Sequence, residues 1–345
     1  MKFSKILLTV AVLASMSAMT SCRKELCYNH FRTAAISLDY EREWERDYGM
    51  SHKDTWDAQL HGHDYDYLRP DVPEWINLIS YIPGKTPIES FFEVSGGEIN
   101  LAGVDDQSFL LYNGDTEYVV VSDVGSHATA RASSTSRSRS SLAQMMSKYP
   151  NVRSTNPPDM LYAAYIDKVP YVEMHEVKNI PVTMQPLVYT YKIRYEFEYG
   201  LEHVALARGA IGGMAESVYL RSGATSDEES IILFDCEVTD WGCVAHVQSF
   251  GIPGFPDQYY NPQTRDDQRL YTLNLEVRLT NGKMFDFEFD IADQIEKQPR
   301  GGVITVKGLK IEDEQNEPVS GSMFDVDVEG WGQHEDIELP VGAQK

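Results

Sequence analysis

The chain has 345 residues, 30 Lys and Arg against 53 Asp and Glu for a net charge of −23, and 42% hydrophobic residues. Its 11% aromatic content and 24% charged fraction exclude a wholly disordered chain, and so acidic a body repels phosphate backbones, which excludes general nucleic-acid binding. At about 150 residues per domain, the length predicts two domains or one large β domain.

The N-terminus opens with Lys2 and Lys5 around the apolar run Ile6–Ala14. That run is far shorter than the roughly 20 residues a membrane-spanning helix needs. With the small residues that follow, residues 1–21 read as a secretory signal peptide. It ends in Met19-Thr20-Ser21-Cys22, which resembles a bacterial lipobox with Met where Leu is usual. Cys22 is then the lipidation site, and the membrane is the partner it reaches. Two or three acyl chains, at about 0.8 kcal/mol per buried methylene, hold a protein stably where one does not. Losing Lys2 and Lys5 with the leader takes the net charge from −23 to −25, and anionic membrane surfaces repel such a body. The lipid has to do the holding.

Period-two alternation dominates the rest. Strands are predicted at 33–40, 75–81, 90–94, 98–101, 109–112, 117–121 and 160–164, then at 180–184, 204–207, 231–236, 244–250, 271–279, 284–290, 303–307, 323–328 and 336–339. The clearest is Tyr189–Tyr199, where odd positions are aromatic or Ile and nearly every even one is charged. As a strand it has one apolar face and one wet face. Only 141–148 and 291–296 read as helices. Around Asn281-Gly282 a plain two-residue turn mixes the faces. Leu275, Val277 and Leu279 share a face with Phe285, Phe287 and Phe289 only through a three-residue loop or a glycine bulge. The stretch 126–141 is Ser, Thr, Ala and Arg with one histidine and no acidic residue and reads as a loop too polar to offset its ordering entropy. The pattern predicts an all-β chain of antiparallel sandwiches with few short helices. Its domains are 22–175, containing the loop 126–141, and 176–345.

Export permits disulfides. If Thr239-Asp240 is a two-residue turn, Cys236 and Cys243 lie opposite each other; a disulfide and two packed thiols are both open readings. Cys27 is left over. His61-Gly62-His63-Asp64, with His52 and Asp66, could gather metal ligands but reads more simply as a solvated loop. Asp325–Gly330 resembles the start of a calcium loop, yet its alternating valines fit a strand with an acidic face. Gly209–Gly213 lacks the Lys and helix of a phosphate loop and marks a bulge or close packing. Trp44, Trp56, Trp75, Trp241 and Trp331 could form a sugar platform, though packing is the commoner use. No catalytic constellation meets the geometric roles of an enzyme site; no catalytic residue, cofactor or metal is expected.

Glu25–His30, Gly96–Leu101, Leu111–Glu117, Pro157–Tyr162, Tyr189–Arg194, Gly212–Ala215 and Phe324–Val328 together resemble a Bacteroidales lipoprotein family akin to the fimbrillin and fimbrial-anchor subunits. The resemblance spans nearly the whole chain after Cys22. It implies two tandem transthyretin-like β-sandwich domains, an outer-membrane location through lipid on Cys22, and a role as anchor, minor or accessory subunit of a fimbria-like assembly. Subunits in that superfamily join by strand addition, so fimbrial subunits are the implied partners. Arg23-Lys24 stand where surface-exported lipoproteins of this phylum often carry acidic residues, which leaves cell-surface and inward-facing positions both open. The alternative function is a surface glycan- or ligand-binding lipoprotein.

Overall fold

The computed structural model describes residues 32–46, 51–101, 107–138, 151–169, 177–261, 263 and 269–316. The leader 1–21, Cys22, Cys27, the predicted helix 141–148, the predicted strands 323–328 and 336–339, the calcium-like stretch and Trp331 lie outside these residues.

In the first half the elements are β1 (Arg32–Tyr40), α1 (Ala58–His61), β2 (Trp75–Tyr81), β3 (Ile88–Glu93), β4 (Gly96–Leu101), β5 (Ser108–Asn113), β6 (Val119–Ser122), β7 (Arg131–Ser134), β8 (Arg153–Thr155), β9 (Tyr162–Ile166) and β10 (Val177–Pro186). The order β1-β10-β9-β5-β2-β3-β4 closes into a barrel. Alternation explains its lining: Ile76, Leu78, Phe109 and Leu111 point inward onto Ala34, Ile36, Tyr162 and Met184. The barrel closes where β1 runs parallel to β10 and antiparallel to β4. At that seam Gly96 has φ +106, and a Cβ there would sit 1.9 Å from the Ile36 carbonyl oxygen, so only glycine lets the strands meet.

The second half contains β11 (Tyr189–Tyr199), β12 (Val204–Ala215), β13 (Ser217–Tyr219), β14 (Glu229–Val238), β15 (Gly242–Ser249), α2 (Asp257–Tyr260), β16 (Thr272–Leu279), β17 (Met284–Asp290), α3 (Ala292–Ile295) and β18 (Gly302–Lys310). Its sheet has the order β17-β16-β12-β14-β15-β11-β18. β14 pairs with β12 as far as Cys236, then with β15 through Glu237 and Val238. The sheet thereby turns over on itself around one core, to which β12, β14 and β16 contribute from one layer and β11, β15 and β18 from the other. The all-β expectation holds. Antiparallel pairing dominates, and β1/β10, β11/β18 and β8/β14 are parallel.

The hairpin between β16 and β17 has the predicted odd loop. Val277 faces Phe285 and Leu275 faces Phe287, with Thr280-Asn281-Gly282 between Leu279 and Lys283 and Gly282 at φ +87. The Gly209–Gly213 run is a bulge: the β12–β14 register shifts between Gly212 and Met214, Gly213 has φ +80, and Gly209 lies under the Phe234 ring.

The Ser/Arg stretch departs from expectation. Residues 131–134 form β7, flanked by β6 on one side and β13 on the other, with Ala130 and Ala132 fully buried. Their small side chains fit a close-packed layer, and β13, one of the two pairing partners, lies more than 80 residues away, where local composition carries no sign of it. Through β7–β13 and β8–β14 the two halves share hydrogen bonds. They also share a core: Ile79 and Leu110 on the barrel's outer wall pack with Leu187, Val188, Leu220 and Phe250.

Candidate functional site

The segment 51–73 lies across the outer face of β11 and β15 and builds a polar cluster there. It begins with α1, whose first turn is capped by Asp57; the Asp57 side chain accepts hydrogen bonds from Gln59 N (3.0 Å) and Leu60 N (3.1 Å). Gly62, at φ +78, ends the helix. So short a helix leaves its last carbonyls without partners, and β11 supplies cations to them. Lys192 Nζ donates to His61 O at 2.9 Å, and Arg194 Nη1 donates to Leu60 O.

The even-numbered face of β11 therefore differs from its expected wet state. Lys192 is 1% and Arg194 4% exposed. Arg194 also reaches Glu196 at 3.2 Å and lies over the Trp241 ring at 4.4 Å. Lys192 Nζ is 2.6 Å from His63 Nε2 and 3.4 Å from His246 Nε2. An ammonium has only donors, so both imidazoles present lone pairs and are neutral. Burial, then Arg194 and Lys192, push His61 down to about 4. Burial and Lys192 push His246 down to about 4, and burial and Arg194 push Lys192 down to about 8.

The His61–Asp66 stretch is thus held by specific partners and is not a loosely solvated loop. The His61 ring stacks on Trp56 with centroids 3.9 Å apart, His52 pairs with Gln298 at 2.8 Å, and Asp66 binds Arg69 at 2.8 Å. Among the described residues no group of three or more His, Cys, Asp or Glu could hold a metal ion. The tryptophans pack: Trp44 is fully buried against Trp56 and Tyr65. Trp75, beside exposed Phe91, is the one of the five that is exposed among the described residues.

The far end of the segment, residues 67–73, forms one wall of a groove of about 640 Å³ between the two halves. The loops 113–118 and 157–160 with Tyr162 form a second wall, and Thr190, His246 and Gln248 on the outer face of β11 and β15 form the floor. The second wall is built from two of the sequence motifs, and they bolt each other down. Asp159 Oδ2 accepts hydrogen bonds from the backbone of Glu117, Tyr118 and Val119. Asn113 Oδ1 accepts from Tyr162 N at 2.7 Å, while its amide donates to Asp115 at 2.8 Å and to Met160 O at 3.1 Å. Gly114 passes beneath Trp75, where a Cβ would meet the indole at 2.2 Å. Sequence reasoning recorded these motifs as family marks and missed that they meet. The signal lay in their Asn, Gly and Asp content, the residue types that fix loops through side-chain bonds.

Of the two open readings of the cysteines, the structure has the packed thiols. The turn is Asp240-Trp241, since Thr239 N bonds to Gly242 O and Val238 faces Cys243. The two-residue slip removes Cys236 from its expected place opposite Cys243, and both thiols are free. Burial pushes the Cys243 thiol up to about 12 and Cys236 well above its ordinary value. Cys22 lies outside the described residues.

Residues 64–235 match the family described as a domain of unknown function, DUF5119. A candidate fimbrium anchoring subunit of Bacteroides ovatus, Fim4B, is 22% identical over 301 residues, which cover 81% of this chain and 88% of that protein. Among solved structures, a candidate adhesin from Bacteroides ovatus aligns with a TM-score of 0.55 at 18% identity, over 82% of this chain and 94% of that one. The fimbrial anchor protein Mfa2 from Porphyromonas gingivalis aligns with a TM-score of 0.44 at 10% identity, over 80% and 90%. Residues 64–235 are thus similar to the DUF5119 family, and the chain shares the fold of the solved Bacteroides ovatus protein.

Proposed function

We propose that this chain is a lipid-anchored protein of the outer membrane that serves as an anchor, minor or accessory subunit of a fimbria-like assembly. The observation that carries the reading is the Fim4B likeness, which runs over 88% of that protein's length and so takes in both halves of the fold. The lipobox-like Met19–Cys22 supports the tether. Among the described residues the second-half sheet ends in β17 and β18, and these edges are where a strand of a neighbouring subunit would add. In the proposed assembly the acyl chains on Cys22 hold the base while the folded body engages the next subunit.

Membrane fractionation with mass spectrometry of the mature N-terminal peptide tests the tether. The expected result is a peptide that starts at acylated Cys22, and a Cys22→Ala variant that is unprocessed or released from membranes. A Cys22→Ala protein that is cut normally and stays membrane-bound removes the anchor role. Site-specific crosslinking from β17 and β18 in cells tests the partner, the expected product being an adduct with a second β-sandwich subunit.

A further inference from the structure

We propose that the groove between the two halves binds a neutral, hydroxyl-rich ligand, a mono- or disaccharide, with Tyr162 as its buried contact. The volume of about 640 Å³ falls within the roughly 300–1,000 Å³ typical of small-molecule sites, and the junction of two bodies is a common place for them. The wall that carries Tyr162 is rigid before any ligand arrives, because Asn113 and Asp159 tie its loops together. Rigidity of this kind lowers the ordering cost of binding.

Tyr162 supplies the independent sign of a ligand. Its ring is 1% exposed and belongs to the barrel core, yet the residue also lines the groove and its hydroxyl has no hydrogen-bond partner. Buried hydroxyls are nearly always paired, and leaving one unpaired is costly. The hydroxyl is itself closed to solvent, so a ligand hydroxyl in the groove completes it through one bridging water.

Charge selects the ligand class. Asp71, Asp115 and Asp159 line the groove; among its described lining residues Arg69 is the one guanidinium, paired with Asp66 at 2.8 Å and Glu43 at 3.5 Å, and Arg42 offsets Asp71 alone at 3.7 Å. Burial, with Lys192 beside it, keeps His246 neutral. The groove is therefore net negative and disfavours phosphate, sulfate and carboxylate groups. The floor offers the hydroxyl of Thr190 and the amide of Gln248, groups that both donate and accept, which suits adjacent sugar hydroxyls. Pro157, Pro158 and Tyr118 offer flat apolar surface to the C–H face of a pyranose.

Titration calorimetry of the purified mature chain against glucose, galactose, N-acetylglucosamine, maltose and lactose tests the site, with sialyllactose and a proline-rich decapeptide as contrasts. The expected result is binding of a neutral saccharide that weakens about tenfold in Tyr162→Phe, as losing one hydrogen bond does. Tyr162→Phe should leave the thermal midpoint unchanged or raise it, since the hydroxyl it removes is unpaired. Val72→Trp, at a half-exposed position on the groove wall, should block binding by filling the space without entering the core. No binding of any neutral saccharide up to about 10 mM, binding that both variants leave intact, or binding of sialyllactose or the peptide alone would overturn the proposal. None of these outcomes bears on anchorage through Cys22, which fractionation reads separately.

Discussion

Glu276 shows how much a single buried carboxyl can control. It sits on β16 at 4% exposure, its Oε1 has no hydrogen-bond partner, and the strand register places Arg208 on one side and Asp286 on the other. Burial and Asp286 push it up to about 7, against the pull of Arg208. The unfolded chain loses this proton near 4.5, so the folded state binds more protons between those values and stability falls as pH rises from about 4.5 through 7. Glu276→Gln should therefore stabilise the protein by about 1–2 kcal/mol at pH 8 and by little at pH 5. Thermal denaturation at the two pH values checks it; an equal gain at both would mean that charge is not the cause. Leu273, Leu275, Val277 and Leu279 follow the alternation read from sequence and are buried. Asn274 and Glu276, on the face that alternation assigns to water, are buried as well. Periodicity reports which residues share a face but not whether that face is covered.

The same distinction governs the segment that crosses β11. Its residues look like a polar loop, and α1 alone is too short to be stable. Docking makes it ordered, because β11 brings Lys192 and Arg194 to the helix's free carbonyls, where cations are favoured. His61 and His246, both pushed down to about 4, take up protons when the segment detaches or the chain unfolds. Docking is thus fully supported above about pH 6.5 and weakens as pH falls towards 4. Hydrogen exchange should show the protection of His61 and Gly62 amides, which bond to Asp57 O and Ala58 O, falling between pH 7 and pH 5. In Lys192→Met the His246 titration, followed by NMR, should move up towards its ordinary value. An unchanged titration would remove Lys192 as the cause.

At the scale of the whole molecule, the barrel and the folded-over sheet are joined by two inter-half strand pairings and a common apolar layer. An interface made like a domain interior couples the stabilities of its two sides. The wild-type chain should melt in one calorimetric transition. Phe250, 2% exposed in that layer, is the wedge to remove: Phe250→Ala should cost about 3–5 kcal/mol and split the melt in two. A single sharpened or unshifted transition in the variant would show that the halves do not depend on this contact. The same joint aligns the groove, since its walls come from the first half and its floor from the second, so the variant should also weaken any ligand bound there.

Local chemistry was enough to read the all-β character, the inward set of β11 and the odd loop before β17, because each depends on neighbours a few residues apart. The positions of β7, the Cys236 and Cys243 thiols, the buried cations of β11 and the groove wall made by Asn113 and Asp159 were decided by tertiary structure. Each needs a partner tens to more than a hundred residues distant, or a turn whose one-residue shift moves every opposite pair by two. Alternation records a strand's two faces; only packing determines what, if anything, covers the second one.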